Sequence, residues 1–254
     1  MTRRWPGPRA VLAAVAIFYA ILGLWILEPD ALYSGDIGVK FVQARALASA
    51  RFAGMDIPYP GAFLDPAAEF RPLRPPFILS TAGTTQAIFS PLSAVVQAGA
   101  VAAAGMRGLF LISLAGGAAV LAAAAAMARR EERTAVILLA GLGSPLWFYA
   151  VSGWEHAPAV GLGAWGVAAA FRARSWRGAC AAGALAGAGA VLRDEVVLLV
   201  PGILAILAWR HRSARQPAAA LAALALPLTL AAIVEVGWFQ RPAAAHLRHA
   251  VHLV

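Results

Sequence analysis

Apolar runs separated by short, arginine-bearing breaks constrain this chain more than any other feature in it. After a basic start (Arg3, Arg4, Arg9), the stretch Ala10–Leu27 stays apolar for about 18 residues, enough for a membrane span. It outlasts a signal-peptide core and no small-residue cleavage site follows, so it reads as a retained anchor helix. Further runs follow at Leu109–Ala128, Thr134–Val151, Ala157–Phe171, Gly178–Leu192, Val196–Trp209 and Pro217–Gly237. With 61% apolar and 13% charged residues, the reading is an all-α polytopic membrane protein rather than a soluble globule. The expected architecture is one integral membrane domain over residues 1–254, with about seven transmembrane helices.

Residues 28–108 read as a long outer loop. Tyr33–Arg51 carries Ser34-Gly35-Asp36 as a helix start, with Asp36 placed to cap free N–H groups. Ile37, Phe41, Ala44 and Leu47 recur at helical spacing, so an amphipathic helix over 36–51 is expected on the bilayer surface. Lys40, the only lysine beside 20 arginines, falls in its first turns. Arg51–Ser90 holds too much Pro and Gly to be a span, and Ala82-Gly83 between Phe77–Thr81 and Thr84–Ser90 is a hairpin signal. Residues 88–104 are expected to form an interfacial or re-entrant helix.

Charge decides that last point. If 88–104 does not cross, the segments facing the cytoplasm are Met1–Arg9, Arg129–Arg133, Arg172–Arg177 and Arg210–Arg215. They hold 12 Arg and 2 Glu, against 9 basic and 10 acidic residues elsewhere. A crossing would split the basic clusters over both sides, which the positive-inside rule disfavours. The net charge of +9 is thereby assigned to inner loops, and nucleic acid is not an expected partner. The single cysteine, Cys180, excludes an intramolecular disulfide.

In this orientation three polar knots share the outer face: Asp36 with Lys40, Trp154-Glu155-His156, and Arg193-Asp194-Glu195. The runs flanking Arg193 are short, about 21–23 Å at 1.5 Å per residue, so that knot is expected below the headgroup level. Each knot also has a plain structural explanation. Asp36 can be a helix cap alone. Trp147, Trp154 and Trp165 can form an interfacial belt around Glu155-His156. Arg193-Asp194-Glu195 can be a self-neutralising turn. Glu235 reads as a snorkelling acid. His246, His249 and His252 drift around a helix and have no acidic partner, so no metal site is assigned. Gly183 and Gly187, four apart, mark close helix packing. No Walker loop, Rossmann fingerprint, nucleophile elbow or HExxH motif is present.

The order of these parts resembles the GT-C superfamily of membrane glycosyltransferases, in particular its protein-mannosyltransferase and aminoarabinose-transferase-like group. The pieces that carry the resemblance are Ser34-Gly35-Asp36-Ile37-Gly38-Val39-Lys40, then Ser90-Pro91-Leu92 and the small-residue turn Gly105-Met106-Arg107-Gly108-Leu109. Ser144-Pro145-Leu146-Trp147-Phe148-Tyr149 leads into Trp154-Glu155-His156, and Leu192-Arg193-Asp194-Glu195 follows, where relatives often have Arg-Pro-Glu. Each motif is short; their order and shared side carry the likeness.

The resemblance implies transfer of a sugar from a polyprenyl-phosphate donor to an acceptor hydroxyl on a glycan, lipid or protein. Asp36 would be the general base and Glu155 would orient the acceptor or share that role. Arg193 would contact the lipid phosphate, with Lys40 a second candidate, and His156, Asp194 and Glu195 would complete substrate binding. No metal ligands are assigned, and the resemblance leaves a divalent metal open. The Ala- and Arg-heavy composition suggests a bacterial source, so the expected place is a bacterial inner membrane in a multi-pass arrangement, N-terminus cytoplasmic by the charge count, active side periplasmic or extracellular. Relatives continue with further spans, whereas this chain stops at Val254, so a minimal version and a truncated one are both expectations. A non-catalytic GT-C-like subunit and a lipid or solute transporter are the alternatives.

Overall fold

A computed structural model describes residues 6–28, 31–81 and 84–241. They are mostly helical, and the chain divides into two compact units, each described by itself. The first comprises Met1–Ala31 and Phe110–Leu230, the second Leu32–Leu109 and Ala231–Val254.

In chain order the helices and strands are α1 (Pro8–Ile21), α2 (Gly35–Ser49), β1 (Ile78–Thr81), β2 (Thr84–Ala87), α3 (Pro91–Ala104) and α4 (Arg107–Met127). They continue with α5 (Arg133–Leu142), α6 (Leu146–Val151), α7 (His156–Arg172), α8 (Trp176–Leu192), α9 (Val200–His211) and α10 (Arg215–Ile233). Wider π-type turns extend α1 through Ile26 and α10 through Trp238.

Among the described residues three stretches are long and apolar enough to cross a membrane: Pro8–Ile26, Arg107–Met127 and Arg215–Trp238. The seven-span expectation is not supported, for two physical reasons. The run Thr134–Val151 is broken at Gly143-Ser144-Pro145 into α5 and α6, of 10 and 6 residues. Pro145 has no N–H to continue a ladder, and Ser144 Oγ holds the break by donating to Ala140 O at 2.5 Å and accepting from Leu146 N at 3.2 Å. Secondly, α7 and α8 have 17 residues each, about 26 Å, and α9 has 12.

Small residues set the packing of the first unit. A Cβ on Gly183 of α8 would collide with the Ala220 carbonyl of α10, and one on Gly187 would come within 2.7 Å of the Leu224 carbonyl. Gly116 of α4 meets the backbone of Pro158 in α7 in the same way. Backbones can approach this closely only where no side chain intervenes, as the Gly183/Gly187 spacing predicts. At the other side of the unit, Val11, Val15 and Tyr19 of α1 bury against Leu121, Ile137, Ala150 and Val151. The Tyr19 hydroxyl donates to Gly141 O at 2.6 Å, so the one polar atom there is satisfied.

The second unit departs from an all-helical reading by a β-hairpin, paired Ile78↔Ala87 through Thr81↔Thr84. Its place matches the hairpin signal, although Ala82-Gly83 itself lies outside the described residues. The stretch 88–104, expected as an interfacial or re-entrant helix, holds α3, which starts at Pro91 after the hairpin. Gly105, at φ +59°, turns the chain between α3 and α4.

Two expectations for α2 are corrected. It spans Gly35–Ser49 rather than 36–51, and Ser34 is its cap: Ser34 Oγ accepts from Ile37 N at 3.3 Å, with Asp36 in the first turn. Nor does it present a single apolar stripe suited to a bilayer surface. Its buried face mixes Ile37, Val39, Ala44 and Leu47 with Lys40 and Gln43, and it packs on α3.

Candidate functional site

Glu155 and Arg193, which lie 38 residues apart in sequence, meet at the ends of two helices in the first unit. Glu155 precedes α7, and its carbonyl accepts from Ala159 N at 3.0 Å. The turn before it needs Gly153 at φ +79° and is pinned by Ser113 Oγ donating to Trp154 O at 2.7 Å. Arg193 ends α8 in an extended conformation, after which Asp194–Leu199 form a 3-10 turn into α9.

The guanidinium is shared. Arg193 Nη1 lies 3.2 Å from Glu155 Oε1, and Nη2 lies 2.8 Å from Glu195 Oε1. Glu155 is 5% exposed and Glu195 61%, so the pair has one buried and one solvent-facing acid. The buried carboxylate is tolerated because the arginine neutralises it. The outer pair with Glu195 is weaker and open to exchange. With Asp194 beside them, the group carries one cation and three acids.

His156, the first residue of α7, sits in an aromatic stack. Its ring lies 4.8 Å from Tyr149, nearly parallel at 18°, and 4.6 Å from Trp154. Phe148 packs edge-on to both Trp147 and Trp154. The belt reading of the tryptophans is therefore incomplete, since Trp147 and Trp154 join Phe148, Tyr149 and His156 in one aromatic cluster while Trp165 lines a cavity with Arg9, Arg133 and Arg172. Sequence reading quoted Tyr149 without giving it a part; its signal was the aromatic density of Trp147–Tyr149.

Asp36 and Lys40 belong to the second unit. Asp36 is half-buried in the first turn of α2. Lys40 is buried with its Nζ 4.2 Å over the Phe89 ring, a cation–π contact, and does not stand at an open mouth. The residue one turn on, Gln43, escaped sequence reading. Its Nε2 donates to Met55 O at 2.8 Å while Oε1 accepts from Ala87 N at 2.7 Å, clamping loop and hairpin to α2. Arg71 adds bonds to Thr85 Oγ1 and, at 2.7 Å, to Ile57 O. Beside these elements lies an apolar cavity of about 600 Å³, lined by Leu32, Val39, Val42, Tyr59, Leu73 and Phe77 among others.

Glu235 is not a snorkelling acid. It is 4% exposed and faces Arg241, whose Nε is 3.8 Å from Glu235 Oε1. Arg241 also donates to Phe89 O at 3.0 Å and Ile88 O at 3.3 Å, tying the end of the described chain to the hairpin's exit. His246, His249 and His252 lie outside the described residues. Among the described residues no group of three or more His, Cys, Asp or Glu is placed to hold a metal ion.

These features define a mostly helical chain with, among the described residues, three helices long and apolar enough to cross a membrane and a buried acid–arginine pair beside an aromatic stack. No family model, no curated protein and no solved structure matches it.

Proposed function

We propose that the chain is a membrane glycosyltransferase of GT-C type, transferring a sugar from a polyprenyl-phosphate donor to an acceptor hydroxyl. The observation that supports this reading is the Glu155–Arg193–Glu195 arrangement, in which two separately quoted motifs of the resemblance converge. Residence in a membrane is supported by apolar side chains left uncovered on the three long helices, such as Trp25 at 76% and Leu226 at 72% exposure. The N-terminus is assigned to the cytoplasm on its basic start, a bacterial inner membrane on the Ala- and Arg-rich composition, and the reacting side to the outer face by the resemblance alone.

In the proposed reaction the acceptor oxygen attacks the anomeric carbon, and the bond from that carbon to the phosphate oxygen breaks with its electron pair. Arg193 exchanges the exposed Glu195 for the departing lipid phosphate, whose oxygens match a guanidinium in a two-pronged contact. Glu155 keeps the guanidinium oriented throughout. Asp36 takes the acceptor proton, a role assigned by the resemblance alone. The faces of Trp154 and Tyr149 suit the apolar side of a sugar ring.

The test is incubation of purified protein with a panel of polyprenyl-phosphate sugars, scoring free lipid phosphate. Release by the parent chain is expected, with Asp36→Asn lowering turnover by about 10²–10⁴-fold while membrane insertion persists. Wild-type turnover in that variant would remove Asp36 from the mechanism, and no release from any donor would remove the activity. One observation favours a second reading, a non-catalytic GT-C-like subunit: Arg193 already has two carboxylate partners.

A further inference from the structure

The first unit contains a second cavity, of about 370 Å³, whose lining brings together arginines from three distant parts of the chain: Arg9, Arg133 and Arg172. Arg9 begins α1, Arg133 begins α5 and Arg172 ends α7. No acid lines this cavity. Glu131 and Glu132 stand exposed on the adjoining loop and make no ion pair with these arginines among the described residues. Arg172 Nη2 donates to Ala126 O at 2.5 Å, which holds that guanidinium in place. Arg133 Nε is fully buried and has no hydrogen-bond partner among the described residues.

Three like charges around one cavity, one of them with an unused buried donor, call for a bound anion. The remaining walls narrow the choice. Leu12, Ile137 and Trp165 make them apolar, which suits an ester-linked hydrocarbon chain and an indole at the headgroup level. The planar forks of arginine suit phosphate oxygens. All three arginines also come from the loops that charge asymmetry places at the cytoplasmic leaflet, where anionic lipids concentrate.

We propose that this cavity is a headgroup site for an anionic phospholipid, held by Arg133 and Arg172 with Arg9 at its rim. It is separate from the Glu155–Arg193 pair, and it stands whether or not the chain transfers sugar. The site fixes α1, α5 and α7 to one lipid and thereby steadies the first unit.

The experiment uses the full chain in detergent, with native mass spectrometry and thermal unfolding after adding phosphatidylglycerol, cardiolipin, phosphatidylcholine or inorganic phosphate. Retention and a rise in Tm are expected with the two anionic lipids and not with phosphatidylcholine. Each arginine removed should weaken retention about fivefold, so Arg9→Gln, at an exposed position that leaves the fold intact, reads the effect even if Arg133→Ala/Arg172→Ala fails to fold. Arg210→Gln/Arg212→Gln, at the end of α9 and outside the cavity, should change nothing. Equal retention of phosphatidylcholine, or unchanged selectivity in Arg9→Gln, would overturn the proposal. An equal Tm rise with inorganic phosphate alone would overturn the lipid assignment.

Discussion

Asp65 shows how one side chain can organise a loop. Its carboxylate accepts from Tyr59 OH at 2.8 Å, Glu69 N at 2.9 Å and Phe70 N at 2.8 Å. Partial desolvation pushes its pKa upward, but the bonds from Phe70, Tyr59 and Glu69 and the nearby Arg74 outweigh it and hold the carboxyl below its usual range. A folded value below the unfolded one means the stabilisation is complete above the unfolded pKa, near 3.9, and is lost as pH falls through the folded value. Hydrogen exchange at Glu69 and Phe70, corrected for intrinsic rate, should therefore be flat from about pH 6 to about pH 4 and rise below that. Asp65→Ala should exchange fast at every pH. Gln43 offers a second test at this scale. Gln43→Ala strands Met55 O and Ala87 N in the interior, at a cost of about 1–3 kcal/mol for each group left without a partner. Gln43→Glu keeps the acceptor for Ala87 N–H but buries a carboxylate and sets an oxygen against Met55 O, so it should lose at least as much, as read from unfolding midpoints in detergent. At Arg241, truncation leaves Glu235 buried without its cation, and a loss of about 3–5 kcal/mol is expected.

At the scale of elements, helix contacts made by backbone explain why α8 holds so many glycines and alanines. Gly183→Ala places a methyl group against the Ala220 carbonyl, so α8 and α10 must separate, at about 1–3 kcal/mol. Gly202→Ala in α9 meets nothing within 4 Å and should be neutral or stabilising by up to about 1 kcal/mol. The pair, compared by thermal unfolding, separates close approach from helix propensity. This much was legible in advance, because Gly183 and Gly187 recur at the four-residue spacing that puts small residues on one helix face. The break of the run Thr134–Val151 was readable too, from Pro145, yet composition alone joined α5 and α6. Hydropathy counts residues without asking whether each backbone N–H has a carbonyl four residues back, and Pro145 has no N–H to offer.

For the whole molecule, the distribution of charge predicts sidedness. In a Cys180→Ser background, Glu69→Cys and Glu131→Cys should react with an impermeant thiol reagent from opposite sides of the membrane, because the helix Arg107–Met127 lies between them. Both positions are exposed, so failure to label from one side reports topology rather than burial. Labelling of both from the same side would remove the assignment of the basic loops to the cytoplasm. It would leave the Glu155–Arg193 pair where it is.

Read alone, the chain already showed the helical class, the long apolar helix at its start, the hairpin and the small-residue helix faces. These follow from properties that add along the chain, namely hydropathy, turn residues and side-chain size at a fixed period. It took the packed chain to show that Arg193 lies between Glu155 and Glu195, that Lys40 is covered by Phe89, and that Arg241 reaches Ile88 and Phe89 from more than 150 residues away. A charged group's partner depends on which helix ends and loops packing brings within a few ångströms. No local pattern encodes that distance.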